Sequence, residues 1–523
     1  MKKRLSLLIL IVLTLSAVIS LAACGNDGLV KDEGEYVDDK YRNYYEIFVY
    51  SYYDTDADGY GDLNGVTKKL DYIKDMGFNG IWLMPIHPSP TYHKYDVSDY
   101  YAIDPLYGDL DDFDNLIKEA HARNINVIID LVVNHTSTSH KWFKDATAAI
   151  KRGETDNKYA KYYNFTNTKQ DDYTQVAGTN YYYESRFWSG MPDLNLDNDD
   201  VRREISDVMK FWLNERNVDG FRLDAVTSYY TGSVSKNVEF LSWLNNEAKS
   251  FKEDCYIVAE AWEGTDVQIK AYNDSGIDSC FLFTGTANAK MSDFFSDLST
   301  NPGEEFSDWL LYLQNTYDGH VLAPFLSNHD IGRAANAFGR SRVTRIKMGA
   351  GLLAMMNGAT FVYYGDEIGM VNAGTSDPNK RIAMLWEEMD DFYEGQCWQR
   401  PDGADIVNEL SYNYPSVKTQ SADETSILNF YKQAYNIRAK YPEIARGTVE
   451  KIDCDNKYVS IVQKTYNGKT CTIVINLNPT ESAEIATDES WGAMVARLTA
   501  DQGKVTHIKG NLSLPAYSIA VFR

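Results

Sequence analysis

From residue 44 onward, short runs of β-branched and aromatic residues alternate with longer stretches whose apolar positions recur at helical spacing. The runs are Glu46–Tyr50, Gly80–Met84, Asn126–Val132, Gly220–Asp224, Tyr256–Glu260, Cys280–Phe283, Val321–Ser327 and Thr360–Tyr364. Most are continuously apolar, the pattern of parallel strands covered on both faces. Helical stretches lie between them, among them Gly65–Met76, Asp111–Asn124, Asp200–Asn217 and Phe240–Lys252. Eight strands with intervening helices predict an α/β fold, a (β/α)8 barrel over residues 41–134 and 200–440. The third and fourth strands stand too far apart for one crossover, so residues 135–199 read as an inserted domain. Past about residue 440 the runs Val459–Lys464, Cys471–Asn476, Met494–Leu498 and Ser518–Phe522 alternate apolar and polar positions with turns between, predicting a C-terminal antiparallel β-sandwich over 441–523.

The first residues break this pattern. Lys2, Lys3 and Arg4 precede an apolar stretch from Leu5 to Ile19, too short and too terminal for an ordinary membrane span. Leu21-Ala22-Ala23-Cys24 follows and resembles a bacterial lipobox, in which the cysteine is lipidated and becomes the new first residue. The expectation is a signal peptide over 1–23, a lipid anchor at Cys24, and a location on the outer side of a bacterial membrane. Residues 24–40 are acidic and carry few apolar side chains, so they read as a solvated tether with a reach on the order of 20 Å.

Composition narrows the partners. The 523 residues are 44% hydrophobic and 13% aromatic, which excludes a disordered chain, and the net charge of −24 argues against nucleic acid and against polybasic docking on anionic lipid. Membrane association would then rest on the lipid anchor alone. Thirty-eight Tyr and ten Trp offer many flat rings of the kind that suit sugar faces. Five cysteines remain beyond Cys24 (255, 280, 397, 454 and 471), an odd number with no CxxC spacing, which excludes a complete disulfide framework.

The chemistry sits at strand ends, where a barrel of this kind carries its active site. The third strand runs from Asp130 into Asn134-His135, the fourth gives Arg222 and Asp224, the fifth Glu260-Ala261-Trp262, and the seventh Asn328-His329-Asp330. Asp224, Glu260 and Asp330 would converge on one cleft, as glycosidic bond cleavage requires: one acid protonates the leaving oxygen and another attacks or activates water. Arg222 lies two residues before Asp224 and so on the same strand face, where a cation stabilises the charge a nucleophile carries. Glu260 has apolar neighbours, which suit a proton donor.

These segments, in this order, resemble the motif regions of the α-amylase family of glycoside hydrolases, family 13, over about residues 44–523. A fifth segment, Met191-Pro192-Asp193-Leu194-Asn195, resembles the family's motif at the end of the inserted domain. The resemblance implies the three-domain arrangement and a retaining, double-displacement mechanism. Asp224 would be the nucleophile, Glu260 the general acid/base and Asp330 the transition-state stabiliser. Arg222, His135 and His329 would contact the sugar in the cleavage subsite, Tyr95 would stack under it, and Asp130 would support the site through its charges. Asp377 and Arg381 match a pair that binds sugars beyond that subsite.

A further acidic segment, Asp54-Thr-Asp56-Ala-Asp58-Gly59-Tyr60-Gly61-Asp62, follows the first nine positions of an EF-hand loop. Its twelfth position is Gly65 rather than Glu, so it reads as an EF-like Ca²⁺ loop within another fold, with Asp54, Asp56, Asp58, the Tyr60 carbonyl and Asp62 as ligands. The resemblance to oligo-1,6-glucosidases and neopullulanases implies that this metal is structural. Ala225 after the nucleophile resembles members that act on α-1,4 bonds, whereas Thr227-Ser228 departs from the Lys-His often found there. The leading expectation is an endo-acting hydrolase of α-1,4-glucans, neopullulanase-like and held at the cell surface. The alternatives are a 4-α-glucanotransferase, an exo-acting α-glucosidase including α-1,6 activity, and a non-catalytic glycan-binding lipoprotein.

Overall fold

The computed structural model describes residues 27–262, 264–389, 392–405 and 412–523. The expected signal peptide and Cys24 lie outside the described residues. Eight parallel strands form the barrel: β1 (Asn43–Ile47), β2 (Gly80–Leu83), β3 (Asn126–Leu131), β7 (Gly220–Leu223), β8 (Tyr256–Ala259), β9 (Ser279–Leu282), β10 (Ala323–Pro324) and β11 (Thr360–Tyr363). They are ordered β10-β9-β8-β7-β3-β2-β1-β11, and a bridge between Phe325 and Phe361 brings the two ends together. The three strands numbered between β3 and β7, namely β4 (Phe165–Thr166), β5 (Tyr173–Gln175) and β6 (Tyr182–Glu184), form a small antiparallel sheet in the inserted segment. The bridge His135–Asp193 joins the entry of that segment to its exit, and Tyr163–Leu194 ties its middle to the same exit.

Side-chain alternation divides the barrel strands between two environments. Outward residues such as Tyr45, Ile47, Phe221 and Leu223 pack into the main core beneath the helices. Inward residues Tyr44, Trp82, Ile128, Tyr256, Phe281 and Phe361 fill the barrel, with Tyr44 stacked between Tyr256 and Phe361 at 5.2 and 4.8 Å. This aromatic plug occupies the lower barrel, and above it β1, β3 and β7 end inward on the charged residues Glu46, Asp130 and Arg222. Gly220 begins β7 at φ 149°, where a Cβ would lie 1.9 Å from the Tyr256 carbonyl oxygen.

Several elements differ from the sequence expectation. The first strand ends at Ile47, and Val49–Ser51 form a 3₁₀ turn instead of continuing to Tyr50. The helix expected over Gly65–Met76 is two helices, Leu63–Lys68 and Leu70–Asp75. Lys69 at the break directs its ammonium over the Tyr53 and Trp386 rings, at 4.2 and 4.0 Å. The helix Asp199–Lys210 widens into a π turn over Phe211–Glu215, which seats Trp212 with its indole N–H on the Tyr100 carbonyl at 2.8 Å.

The C-terminal domain holds eight strands: β12 (Thr448–Ile452), β13 (Val459–Tyr466), β14 (Lys469–Asn476), β15 (Ala483–Ala486), β16 (Met494–Thr499), β17 (Thr506–Ile508), β18 (Asn511–Leu514) and β19 (Ser518–Phe522). They form two antiparallel sheets, β12-β13-β14-β19-β16 and β15-β18-β17. The acidic segment expected to be a solvated tether is docked from Asp27 onward. Leu29 bridges Met494, Glu35 and Val37 donate backbone N–H groups to Lys440 and Ala439, Val37 is buried, and Asp27 pairs with Arg497 at 3.0 Å. Its charges meet basic partners, and its backbone finds a sheet edge and a helix end; composition shows neither. All five described cysteines are free thiols, Cys454 and Cys471 included. Among the described residues no helix is long and apolar enough to cross a membrane.

Candidate active site

The polar ends of the barrel strands meet on Arg222. In register Arg222 of β7 lies beside Asp130 of β3, and both side chains are inside the barrel. Its Nη1 donates to Asp130 Oδ1 at 2.5 Å and to Asp224 Oδ1 at 2.8 Å, and its Nη2 lies 3.0 Å from Glu260 Oε2. One guanidinium therefore holds three carboxylates from three adjacent strands or their ends. Its faces are covered by Trp82 and Tyr95, whose ring centroids lie 5.2 and 5.5 Å away. Trp82 also donates its indole N–H to Asp130 Oδ2 at 2.8 Å.

Glu260 receives a second donor from an unusual place. Ala225, directly after Asp224, sits in the left-handed region at φ 46°, a strained conformation for a non-glycine residue. That twist aims its N–H at Glu260 Oε2, 2.9 Å away. Burial nevertheless dominates: against Arg222, it pushes the Glu260 carboxyl up to about 7. Burial likewise raises Asp130 to about 6, against the attraction of Arg222.

Asp330 is the counter-case. Burial would raise its carboxyl, but His329 and Arg381 overcome that and hold it below the usual carboxylate range. His329 Nε2 lies 2.9 Å from Asp330 Oδ2, and Arg381 Nη2 donates to Oδ1 at 3.0 Å. His329 is flanked by a second carboxylate, Glu46 of β1, 2.6 Å from its Nδ1. Burial would lower the imidazole, yet Asp330 and Glu46 together raise it to about 9, so it stays cationic at neutral pH. Glu46 went unnoticed as a site residue in the sequence; the signal was a lone acid at an inward position of a buried strand.

The remaining candidates line the same cleft, a cavity of about 590 Å³ that contains Tyr95, His135, Asp224, Glu260, Asp330, Asp377 and Arg381. Tyr95 stacks on His329, with its hydroxyl 2.7 Å from Nε2. Buried His135, which burial keeps toward the neutral form, lies with Nε2 3.2 Å from the Tyr95 carbonyl. Asp377 and Arg381 are partnered apart: Asp377 is largely exposed and pairs with Lys380 at 2.7 Å, while Arg381 is buried on Asp330. The sequence also missed Tyr92, His93, Phe187 and Trp188, which share the cleft.

The chain belongs to the α-amylase family. The family description "Alpha amylase, catalytic domain" matches residues 46–447. Alpha-amylase 3 of Dictyoglomus thermophilum is 37% identical over 459 residues, covering 84% of this chain and 86% of that protein. The structure of Amy13B of Eubacterium rectale superposes with a TM-score of 0.88 at 42% identity, covering 94% of this chain and 96% of the other. An oligo-1,6-glucosidase of Heyndrickxia coagulans is 28% identical, covering 86% and 93%. This protein is thus a family 13 glycoside hydrolase, an enzyme rather than a carrier of glycans.

Away from the cleft, the acidic loop brings Asp54, Asp56 and Asp58 together, with one ligand oxygen of each within 4.8 Å of the others. Backbone amides shape it: Asp54 accepts N–H groups of Asp56, Ala57 and Gly59, at 3.1, 2.7 and 2.7 Å. Asp62 stands outside this group. It caps the helix Leu63–Lys68 by accepting Gly65 N–H at 2.7 Å, and it accepts Thr55 N–H at 2.7 Å. Burial, then Asp56 and Asp54, raise the Asp58 carboxyl. Three crowded hard-oxygen donors fit a hard divalent cation such as Ca²⁺.

Proposed function

We propose that the protein is a retaining hydrolase of internal α-1,4 bonds in starch and maltodextrins. The observation that carries the reading is the single guanidinium of Arg222 holding Asp224 and Glu260 side by side, with Asp330 held anionic across the cleft. Asp224 attacks C1 of the glucosyl unit while Glu260, protonated near neutral pH, passes its proton to the departing oxygen. The resulting glucosyl ester is then hydrolysed by water, which Glu260 deprotonates in its second role. Asp330 carries the charge that steadies the oxocarbenium-like transition state, and Tyr95, His135 and His329 frame that sugar. Arg381 acts through Asp330 instead of pairing with Asp377, which is left to reach sugars farther along. The relatives named α-amylase support α-1,4 action; the relative named oligo-1,6-glucosidase keeps an exo-acting, α-1,6 reading as the second.

Starch and maltooligosaccharides, incubated with the enzyme and followed by product separation and NMR of fresh product, test this reading. A ladder of oligosaccharides released as the α-anomer is expected. Glucose alone favours the exo reading, and a β-anomer first overturns the mechanism.

Two further parts belong to the proposal. Asp54, Asp56, Asp58 and the Tyr60 carbonyl would hold a structural Ca²⁺, with Asp62 given over to the helix cap and Thr55, and the ion would supply charge to a loop lying against Gly395 and Gln399. Cys24 would carry lipid and keep the enzyme outside a bacterial membrane, where polymers too large to import can be cut. With the chain docked from Asp27, only Gly25 and Asn26 separate that anchor from the fold, so the enzyme would ride close to the membrane. Cys24→Ala, followed by cell fractionation, is expected to release the protein from the membrane fraction; equal partitioning of both forms removes the anchor from the reading.

A further inference from the structure

Large aromatic side chains left in water together in one cleft mark a binding surface. Three of them, Phe187, Trp188 and Trp262, at 48%, 46% and 38% exposure, line the catalytic cleft. Strand order puts β7, which runs into Asp224, between β3 and β8. Phe187 and Trp188 come from the segment inserted after β3, and Trp262 from the loop after β8, so the rings flank the nucleophile on both sides.

The backbone that carries Trp188 is held. Met191 N–H donates to the Trp188 carbonyl at 2.9 Å, Thr138 N–H to that of Gly190 at 3.0 Å, and the Tyr183 hydroxyl to that of Ser189 at 2.7 Å. The indole lies over Gly190. A Cβ there would meet indole Cζ2, Cη2 and Cε2 at 2.1, 2.3 and 2.6 Å, although Gly190 has no positive φ that would call for glycine. An alanine at 190 would therefore displace the indole from its seat without calling for a left-handed backbone. Phe187 is fixed in turn by edge contact with His135 at 5.3 Å, and Trp262 by Phe283 at 4.9 Å.

We propose that Trp188, seated on Gly190, is a binding platform for an α-glucosyl unit outside the cleavage subsite, and that it sets the preference of this cleft for long chains. The inference rests on the hydrolase reading and adds a specificity-determining residue and a positioning residue to it. A pyranose face laid on an indole buries apolar surface without hydrogen-bond loss, and a unit bound there contributes only when the substrate is long enough to reach it.

The test is the ratio of kcat/KM on maltoheptaose to that on maltotriose. Trp188→Ala is expected to lower this ratio about tenfold, mainly through KM on the longer substrate. Gly190→Ala, which keeps the tryptophan but displaces it, is expected to do the same and to shift tryptophan emission. Trp188→Phe, which keeps a flat ring, is expected to restore most of the ratio. A wild-type ratio in Gly190→Ala overturns the proposal, and so does a Trp188→Phe ratio as low as that of Trp188→Ala, which would assign the effect to loop packing. A wild-type enzyme that cleaves neither oligosaccharide overturns the hydrolase reading itself, a result distinct from either.

Discussion

The protein concentrates carboxylates twice, and the two clusters solve the same electrostatic problem in opposite ways. At the strand ends Asp130, Asp224 and Glu260 are buried and Asp330 is half-buried, and the chain supplies their cations: Arg222, His329 and Arg381. In the loop Asp54 is buried, Asp56 and Asp58 are exposed, and the charged neighbours that bear on Asp58 are the other two acids. A buried charge must be paired by the fold itself, because water cannot compensate it. A surface cluster can leave that task to an ion. The catalytic cluster should therefore be indifferent to chelators and sensitive to every change in its own charges, and the loop the reverse.

The largest effect should come from the catalytic side. Asp224→Asn is expected to lower kcat on starch by at least about 10³-fold, with starch binding retained, because an amide cannot form the glucosyl ester. Near-normal turnover would remove Asp224 from the mechanism. Glu260→Gln separates chemistry from stability. The folded state raises this carboxyl from 4.5 to about 7, so it binds the proton more tightly than the unfolded chain. The stability gained from that proton is complete below about 4.5 and is lost as pH rises through about 7. Glutamine has no proton to lose. The Tm of the variant minus that of wild type is therefore expected to grow between pH 4.5 and 7 while hydrolysis falls away; a difference flat with pH would mean that Glu260 is ionised throughout.

The same division explains what the sequence could reveal. Asp224, Glu260 and Asp330 stand next to apolar runs buried on both faces, so strand, strand end and acid were all legible from local pattern. Glu46 was not, because a charge within Asn43–Ile47 makes the strand look as if it starts later; its meaning depends on His329, 283 residues away. The strained amide of Ala225 and the displacement of Arg381 from Asp377 to Asp330 are likewise properties of packing between strands. The acidic segment at 27–37 misled for the same reason. Its composition resembles a solvated linker; its partners, among them Arg497, Arg523, the helix end at Lys440 and the sheet edge at Met494, show that it is part of the fold.

Chelation should move the loop and spare the site. A Ca²⁺ bound only to the folded chain, present at a hundred times its Kd, stabilises by about 2.7 kcal/mol. EDTA is accordingly expected to lower Tm while kcat, measured well below Tm, changes little, since no catalytic contact passes through the loop. An unchanged Tm, with no calcium found by elemental analysis, would reduce the loop to an acidic turn.

The smallest effect is the most discriminating, because it should change sign. Asp58→Asn removes one of three carboxylates whose ligand oxygens crowd within 4.8 Å. In EDTA that removal relieves like-charge repulsion, and the exposed position limits the gain to a few tenths of a kcal/mol, so the variant is expected to melt at or slightly above wild type. In saturating Ca²⁺ the same substitution replaces a charged ligand with a neutral amide and weakens binding, so the variant is expected to melt below wild type. The two melting curves should therefore cross as calcium is titrated. At the catalytic cluster no such crossing is possible, since its cations are side chains and cannot be withdrawn. If Asp58→Asn lowers Tm equally in EDTA and in calcium, the loss is one of loop geometry, and the contrast between an ion-dependent loop and a self-compensated active site fails on the loop's side.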